Sequence, residues 1–278
     1  MKDFTNQPLL LSVRNVNKKF TKDIRYNMYY GIRDMLLSNH RNYMQLREKE
    51  FWAIKDASFD LREGEILGVV GANGSGKTTL MRIISGIYNL NSGEILARPG
   101  QKTTSIFALK SGMEPLYTGR ENIYLKGSLY GMSKEEIDNQ MSFIEDFCEL
   151  GDRLDRPFGN YSSGMAARLA YAIAVATRPD VFIIDEALAV GDSVFKAKCF
   201  DHLKDYVKDG GKGVLFVSNN VRKVLKIATR VIVMDEGEII YNSQEIRKAL
   251  QFYIENCLRT LTPEKKAAKL AAVTHYDF

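Results

Sequence analysis

The stretch from Gly71 to Thr78, which reads GANGSGKT, has the composition and spacing of a loop that binds phosphate groups. It fits the pattern G-x-x-x-x-G-K-[ST] and lies between the strand-like run EILGVV and the helical run TTLMRIISGIY, the context that this pattern requires. The glycines let backbone N–H groups wrap a phosphate chain, and the N-terminus of the following helix adds partial positive charge. The sequence therefore predicts a site for the phosphates of a nucleotide.

The side chains of this loop have separate expected tasks. Lys77 places a positive charge on the β- and γ-phosphates, so we expect it to act in catalysis, and the hydroxyl of Thr78 is expected to bind Mg²⁺. The residues expected to bind the nucleotide here are Gly71, Asn73, Gly74, Ser75, Gly76, Lys77, Thr78 and Thr79.

A second motif, VFIIDE, ends a predicted buried strand with two acids. Asp185 is placed where a carboxylate can hold Mg²⁺, and Glu186 is the candidate that polarises the attacking water. The alternative is a pair of strand-end acids that face solvent. The phosphate loop upstream favours the metal and water roles.

A third motif, Tyr161-Ser-Ser-Gly-Met165, is a turn of small residues before a helix. By itself it is a helix cap, in which Ser162 or Ser163 satisfies free N–H groups. A hydroxyl at a helix N-terminus is also an anion site. The chain then carries two phosphate-binding elements, although one nucleotide needs a single element from its own chain. This arrangement predicts a head-to-tail homodimer in which each subunit completes the other's site.

Taken together, these motifs resemble those of the nucleotide-binding subunits of ABC transporters, over roughly residues 9–250. YSSGMAARLAYA stands where most such proteins carry an LSGGQ-type signature, and its spelling is similar to the branch that exports polysaccharide, O-antigen and teichoic acid. DEALAVGDSVFKAKC and LYTGRENIYL resemble the same branch. The resemblance implies an ATPase that uses ATP and Mg²⁺, a separate membrane permease, and a lipid-linked glycan as cargo.

The resemblance also assigns roles to individual positions. Phe20 stands where an aromatic ring stacks on adenine, although a ring there could equally pack in the core. Ser162 and Gly164, with Ser163 beside them, would bind the γ-phosphate of the ATP held by the partner. Asp192, which closes ALAVGD, matches the loop acid that communicates across the dimer.

The sequence departs from the family pattern in two places. Most members carry a glutamine that senses Mg²⁺, but SIFALKSGMEPLYTG contains none, and the equivalent position lies near Ala108 or Leu109, so no residue is assigned. Members also carry a histidine where this chain has Asn219, in VSNN. An amide can bond a γ-phosphate oxygen but cannot carry a proton or a positive charge. Two interpretations stay open: slow hydrolysis with ATP binding preserved, or a substitution made to trap the ATP-bound state.

Short apolar runs rich in Val and Ile alternate with helical segments, which predicts an α/β fold with strands buried on both faces of a parallel sheet. The runs are GEILGVVG, VFIIDE, GVLFVS and RVIVMDEGEII. From about 112 to 178 the pattern is helical, and Ser133 with Glu136 forms a capping box. The fold implied by the resemblance is a RecA-like P-loop NTPase core with an antiparallel β edge and an inserted helical subdomain. We expect an ATPase domain over 1–250 and a short helical tail over 251–278.

The charge of the chain is uneven. Its formal net charge is +5, and residues 1–50 hold ten Lys/Arg and five Asp/Glu, so the remainder is neutral. Within 21–50, five apolar residues fall on one helical face among tyrosines and arginines: Ile24, Met28, Ile32, Met35 and Leu36. This pattern is typical of an interfacial helix on anionic lipid, and the alternative is an ordinary helix packed on its own domain. No dense Lys/Arg cluster indicates nucleic acid.

No apolar run approaches the roughly 18–20 residues that span a bilayer, and the N-terminus lacks the apolar stretch of a signal peptide. We therefore expect a peripheral protein on the cytoplasmic face of the plasma or inner membrane. Three other functions are weighed: an ABC ATPase for another cargo, a nucleotide-gated structural or nucleic-acid protein, and a module that binds ATP without hydrolysis. The YSSGM sequence and the VGD loop argue against the first, and the single cassette without sustained heptads argues against the second. Asn219 is the only feature that supports the third, and an ATPase assay separates it from the transport ATPase.

Overall fold

The four apolar runs of the sequence form strands of the larger of two sheets in the computed structural model, which describes residues 4, 6–23, 25–26, 28–30, 32, 45–107, 111–185 and 192–274. The described strands are β1 (Leu9–Thr21), β2 (Glu50–Arg62), β3 (Ile66–Gly71), β4 (Ser92–Ala97), β5 (Thr103–Ile106), β6 (Val181–Ile184), β7 (Gly213–Val217), β8 (Arg230–Asp235) and β9 (Glu238–Ser243). The described helices with printed bounds are α1 (Lys77–Ile84), α2 (Gly119–Leu129), α3 (Lys134–Cys148), α4 (Ser163–Ala176), α5 (Ser193–Tyr206), α6 (Val221–Ile227), α7 (Ile246–Asn256) and α8 (Pro263–Thr274).

The larger sheet has the strand order β5-β6-β7-β3-β8-β9. Its first five strands are parallel, and β3, β6 and β7 are buried along their whole length. Strands buried on both faces need no polar alternation, which is why they are continuous apolar runs in the sequence. The carboxyl ends of these strands lie at one edge of the sheet. At that edge the phosphate loop follows β3, Asp185 follows β6 and Asn219 comes shortly after β7.

The run RVIVMDEGEII corrects one expectation, because it forms a hairpin and not a single buried parallel strand. β9 pairs with β8 in the antiparallel direction and is partly exposed. The connection contains Glu236 and Gly237, whose φ angles of 46° and 87° lie in the left-handed region. Two such residues in succession form the turn that suits the twist of a hairpin.

The smaller sheet is antiparallel, with the order β2-β1-β4, and it supplies the predicted antiparallel edge. Together with α1 it covers one face of the larger sheet, and the helical region with α5, α6 and α7 covers the other. The side chains of β3 alternate between these two cores: Leu67 and Val69 enter one, and Ile66 and Val70 enter the other. The α/β fold with a P-loop core is confirmed.

The region from 112 to 178 is helical, as the sequence predicts. The capping box of Ser133 and Glu136 begins α3, and a second one, of Thr118 and Glu121, begins α2. The loop before α2 is tied down by the buried Asn122, whose side chain accepts from the N–H of Glu114 at 2.7 Å and donates to the carbonyls of Glu114, Tyr117 and Thr118. The loop is therefore ordered and keeps its apolar residues in fixed positions.

The C-terminal segment packs against the ATPase core. The boundary drawn between residues 250 and 251 falls inside α7, where Leu250, Tyr253 and Ile254 are buried. Helix α8 follows and packs on α6 and α7, with Val273 buried. The segment is thus continuous with the core.

Much of the stretch 21–50 lies outside the described residues, including Ile24, Met35 and Leu36. The described residues 25–26, 28–30 and 32 are helical, and Met28, Tyr29 and Ile32 are exposed. The guanidinium of Arg47 lies over the ring of Tyr30, 4.2 Å from its centroid. Within the described ranges, no helix has both the length and the apolar character that crossing a bilayer requires.

Candidate nucleotide site

The phosphate loop joins the buried strand β3 to α1, and its lysine lies at the centre. The ammonium of Lys77 donates to the carbonyl oxygens of Gly71 at 2.9 Å and Ala72 at 2.8 Å, and lies 3.3 Å from the hydroxyl of Ser75. Lys77 and Ser75 are buried, whereas Asn73, Gly74 and Thr78 are exposed and Thr79 is half-buried. A positive charge is thus enclosed by a loop whose outer residues are accessible, as a phosphate cradle requires.

At two positions of this loop, neighbouring atoms leave no room for a side chain, so glycine is required. A Cβ atom on Gly71 would lie 2.4 Å from the carbonyl oxygen of Met234 and 2.4 Å from the Ser75 hydroxyl. Gly76 has φ 99°, and a Cβ there would lie 2.5 Å from the carbonyl oxygen of Ala53. Glycine is the residue that adopts this backbone without strain and admits such close approach.

Two other elements support the loop, and the sequence analysis missed both. The N–H of Gly237, in the β8–β9 turn, donates to the carbonyl of Ser75 at 3.1 Å. The hydroxyl of Tyr253, on α7, donates to the carbonyl of Gly71 at 3.4 Å. In the sequence, the glycine at 237 between two strand-like runs indicates the turn that makes the first contact, whereas no local pattern indicates the second.

The acids of the VFIIDE motif follow β6, two strands away from β3 in the same sheet. Asp185 is half-buried at the carboxyl end of β6, at the same edge as the phosphate loop. Glu186 lies outside the described residues, and so do Ala108 and Leu109. The expected roles of Asp185 and Glu186 therefore stay predictions.

Asn219 follows β7, the strand between β6 and β3, and contacts the phosphate loop directly. Its side-chain N–H donates to the side-chain oxygen of Asn73 at 2.8 Å. Its own amide oxygen is buried, and no donor among the described residues lies within hydrogen-bonding distance of it. The neighbouring Asn220 has a different task, since its oxygen caps α6 by accepting from the N–H groups of Arg222 and Lys223.

The YSSGM turn forms the predicted cap at the start of α4. The hydroxyl of Ser162 accepts from the N–H of Met165 at 3.2 Å, Ser163 is exposed and Gly164 is half-buried. The hydroxyl of Tyr161 donates to the carbonyl of Arg153 at 2.8 Å, and burial raises the pKa of Tyr161 to about 12. The exposed hydroxyls at this helix N-terminus remain available to a partner.

Asp192 is the N-cap of α5. It accepts from the N–H of Phe195 at 2.9 Å and pairs with the guanidinium of Arg168, which also bonds Glu149 at 2.9 Å. The Phe195 N–H and the Arg168 charge lower the pKa of Asp192 from 3.8 to about 2. Its contacts within the chain thus fix α5 to α4, while its role across a dimer stays a prediction.

Phe20 ends the long strand β1 in a small aromatic group. Its ring centroid lies 5.5 Å from that of Tyr88 and 6.4 Å from that of Phe51, and the Lys18 ammonium lies 5.2 Å from its centroid. Phe51 pairs with Phe20 on β2, the strand whose Ala53 carbonyl approaches Gly76. The half-buried ring therefore lies on the sheet that borders the phosphate loop.

A cavity of about 510 Å³ opens beside the loop. It is lined by Ala72–Ser75, by Asn219 and by residues of the C-terminal segment. The structure thus brings the phosphate loop, Asn219 and the segment after α7 together at the carboxyl edge of the sheet.

Comparisons with known proteins agree with this geometry. The protein-family model described as "ABC transporter" matches residues 54–189. The chain is similar to the teichoic acids export ATP-binding protein TagH of Listeria monocytogenes serotype 4b (strain F2365), with 36% identity over 88% of this chain and 70% of that protein. It is also similar to the O-antigen export system ATP-binding protein RfbB of Klebsiella pneumoniae, with 38% identity over 77% of this chain and 87% of that protein.

A third relative, the ABC transporter protein AbcA of Aeromonas salmonicida, is 41% identical over 70% of this chain, which spans 63% of that protein's length. Among solved structures, a dimeric ATP-binding cassette in a post-hydrolysis state with ADP and Pi superposes with a TM-score of 0.65, at 22% identity, over 84% of this chain and 98% of that one. That likeness shows the fold. The chain belongs to the ABC transporter family, as one of its ATP-binding ATPase chains.

Proposed function

We propose that the chain powers the export of a lipid-linked glycan polymer, such as O-antigen, capsule or teichoic acid, by hydrolysing ATP beneath a separate membrane permease. The proposed cargo rests on the similarity to TagH and RfbB, whose names describe teichoic acid and O-antigen export. The ATPase chemistry is supported by the loop that encloses the Lys77 ammonium.

The working unit that we propose is a homodimer with two ATP molecules between facing protomers. Each site needs the phosphate loop of one protomer and the Ser162–Gly164 turn of the other. The exposed hydroxyls of Ser163 and of Ser162, which also caps α4, support this arrangement, because the N-terminus of a helix binds anions. Asp192, on the adjoining α5, would lie near the same interface.

Within each site, the residues have distinct tasks. Lys77 holds the β- and γ-phosphates, and the rim at Phe20 stacks on adenine. Asp185 and the hydroxyl of Thr78 would hold Mg²⁺, which is usually bound by one or two carboxylates together with substrate phosphates. When bound, the ion would neutralise charge that develops on the transferred phosphoryl group. Glu186 orients the attacking water, and Asn219 offers its amide to the γ-phosphate.

The loop before α2 supports a contact with the permease. Leu116 is 84% exposed there, Tyr117 is also exposed, and Asn122 holds the backbone of this loop in place. Exposed apolar residues that lie next to each other, as these two do, are typical of an interaction surface. We expect Leu116→Asp to weaken co-purification of the permease while ATP binding of the isolated chain is unchanged.

We also propose that the protein acts at the cytoplasmic face of the membrane, with 21–50 on the lipid surface. The exposed Met28, Tyr29 and Ile32, within the first fifty residues that together carry the excess positive charge, support this placement. Deletion of 21–50 is expected to lower export. Unchanged export in that variant would remove the surface role of the segment.

Depletion of the chain in cells tests the cargo. We expect a lipid-linked glycan to accumulate on the cytoplasmic side while surface polysaccharide is lost, and the sugars of that lipid would identify the cargo. An intact surface glycan with no accumulated lipid would keep the ATPase but overturn glycan export.

A second candidate function is ATP binding with little hydrolysis. It is favoured by Asn219, whose side chain cannot carry a charge and uses one of its two N–H donors on Asn73. An ATPase assay on the detergent-purified complex separates the two, with Glu186→Gln as the blank. Phosphate release above that blank supports the transport ATPase, and release equal to the blank supports the binding subunit.

A further inference from the structure

Two cavities meet at the C-terminal helix α8, next to the phosphate loop. The cavity of about 510 Å³ that borders Ala72–Ser75 also touches Lys269, on α8. A second cavity, of about 500 Å³, lies between α8 and the start of α6. Asn219 and Lys269 line both, so this lysine faces the same space as the residue that replaces the family's histidine.

The charges around the second cavity favour an anionic occupant, whereas the two acidic and two basic side chains of the first cavity sum to zero. In the first cavity the two acids are already paired, because Arg259 contacts Asp235 at 2.6 Å and Glu236 at 2.8 Å. Lys269 has no hydrogen bond or ion pair in the described part of the chain. The described lining of the second cavity has two basic side chains, Arg222 and Lys269, and no acidic one.

The environment of Asn219 calls for a donor as well. Its amide oxygen is buried without a donor among the described residues, and its N–H is bonded to Asn73. An ammonium has three N–H donors, enough to serve this oxygen and a phosphate oxygen together. It also carries the positive charge that a neutral amide lacks.

We propose that α8 is part of the nucleotide site and that Lys269 binds the terminal phosphate of ATP, supplying in cis the charge that Asn219 lacks. This inference rests on the proposed ATP site at the phosphate loop. It makes the C-terminal helix a sensor of the γ-phosphate, so that α8 distinguishes ATP from ADP.

The test measures dissociation constants of the purified full-length chain for the non-hydrolysable analogue AMP-PNP and for ADP, both with Mg²⁺. We expect Lys269→Gln to weaken AMP-PNP binding about tenfold, the effect of losing a charge-assisted hydrogen bond, and to leave ADP binding unchanged. Lys269→Arg keeps the charge and should bind as the parent does. Lys265→Gln removes the same charge from an exposed site on α8 and is the matched control.

A double variant tests whether Lys269 acts through its charge, because a purely structural role of Lys269 would not depend on the residue at position 219. In the background of Asn219→His, which restores a side chain able to carry charge, Lys269→Gln should lose most of its effect. Equal affinities of Lys269→Gln and the parent for both nucleotides would overturn the inference, as would an equal loss for AMP-PNP and ADP. A changed dimerisation constant with unchanged nucleotide affinities would overturn it too.

Lys77→Ala separates failure of this inference from failure of the proposed function. If Lys77→Ala abolishes binding of both nucleotides and Lys269→Gln changes neither, the ATP site stands and the role of α8 falls. If the parent chain binds neither nucleotide, the proposed function fails and this inference fails with it.

Discussion

Asn219 contacts the phosphate loop through a hydrogen bond between two neutral amides. The bond to Asn73 occupies one of the two side-chain N–H donors of Asn219, and the side chain has no ionisable group. The second N–H is the one left to donate to the γ-phosphate. Chemistry at this position is therefore limited by the lack of charge.

Asn219→His should raise the rate of ATP hydrolysis by about tenfold, since a preorganised donor that carries charge stabilises the transition state better than a neutral amide. The measurement is phosphate release by the complex at saturating ATP. Asn220→Ser is a suitable control because serine also caps helices. An unchanged rate in Asn219→His would remove the basis of the slow-hydrolysis hypothesis.

The ionisation of Asp192 makes the stability of the fold depend on pH. Its pKa is lowered from 3.8 to about 2 in the folded chain. The ionised carboxylate therefore stabilises the fold fully when the pH is above the pKa of the unfolded chain, and this stabilisation is lost as the pH falls from about 4 to about 2. Asp192→Asn keeps a capping oxygen but has no proton to bind. The melting temperature of this variant should fall less steeply over that interval than that of the parent. Parallel melting curves against pH would show that Asp192 contributes nothing.

At the scale of elements, the loop between β3 and α1 depends on a glycine that no other residue replaces without strain. Gly76→Ala places a methyl group 2.5 Å from the Ala53 carbonyl at φ 99°. We expect a loss of about 2–4 kcal/mol in the free energy of unfolding, from left-handed strain and the clash together.

Gly86→Ala is the matched control for that variant. Gly86 has φ 72°, but a Cβ there meets nothing within 4 Å, so about 1–2 kcal/mol from backbone strain is expected. Urea denaturation measures both variants. Equal losses would show that the contact with Ala53 adds nothing.

The elements that the sequence predicts best are those with strong local patterns. β3, β6 and β7 are continuous apolar runs, and Ser133 with Glu136 fixes the start of α3. No apolar run predicts β4 and β5, which are short and only partly apolar, or β1 and β2, whose apolar residues are interrupted by charged ones. The run RVIVMDEGEII is typical of one strand by its apolar residues alone, and its turn at Glu236 and Gly237 divides it into β8 and β9.

The candidate site divides in the same way. The loop from Gly71 to Thr79, Asp185 and the Ser162 cap follow from residue type and spacing. In the structure the loop joins β3 to α1, Asp185 follows β6 and Ser162 caps α4, while their roles toward a nucleotide stay predictions. The bonds from Asn219 to Asn73 and from Tyr253 to Gly71 join residues more than 140 positions apart. Such contacts depend on the packing of whole elements, which no local pattern encodes.

At the scale of the whole molecule, Arg230 connects the two sheets. Its guanidinium bonds the buried carboxylate of Glu65 at 2.6 and 3.1 Å, the side chain of Asn242 on β9 at 3.2 Å, and the carbonyl of Asp60 on β2. Glu65 is 1% exposed, so its charge depends on this partner. Arg230→Met should lower the free energy of unfolding by about 3–5 kcal/mol, because it leaves a buried carboxylate unpaired.

Arg98→Met is the control for this pair, since it breaks the exposed contact with Glu63, and about 0–1 kcal/mol is expected. Chemical denaturation of both variants gives the comparison. If the two losses are equal, Arg230 does not join the sheets energetically.

The position of β3 makes the rate at which cells degrade the protein depend on their ATP concentration. β3 lies between β7 and β8, is buried throughout and sends side chains into both cores, so we expect its amide hydrogens to exchange with solvent only through global opening. ATP on the loop that follows β3 therefore opposes opening of the entire chain, by about 4 kcal/mol at a thousand times its dissociation constant. Proteases that act on the opened state would then remove this protein faster from cells whose ATP is exhausted.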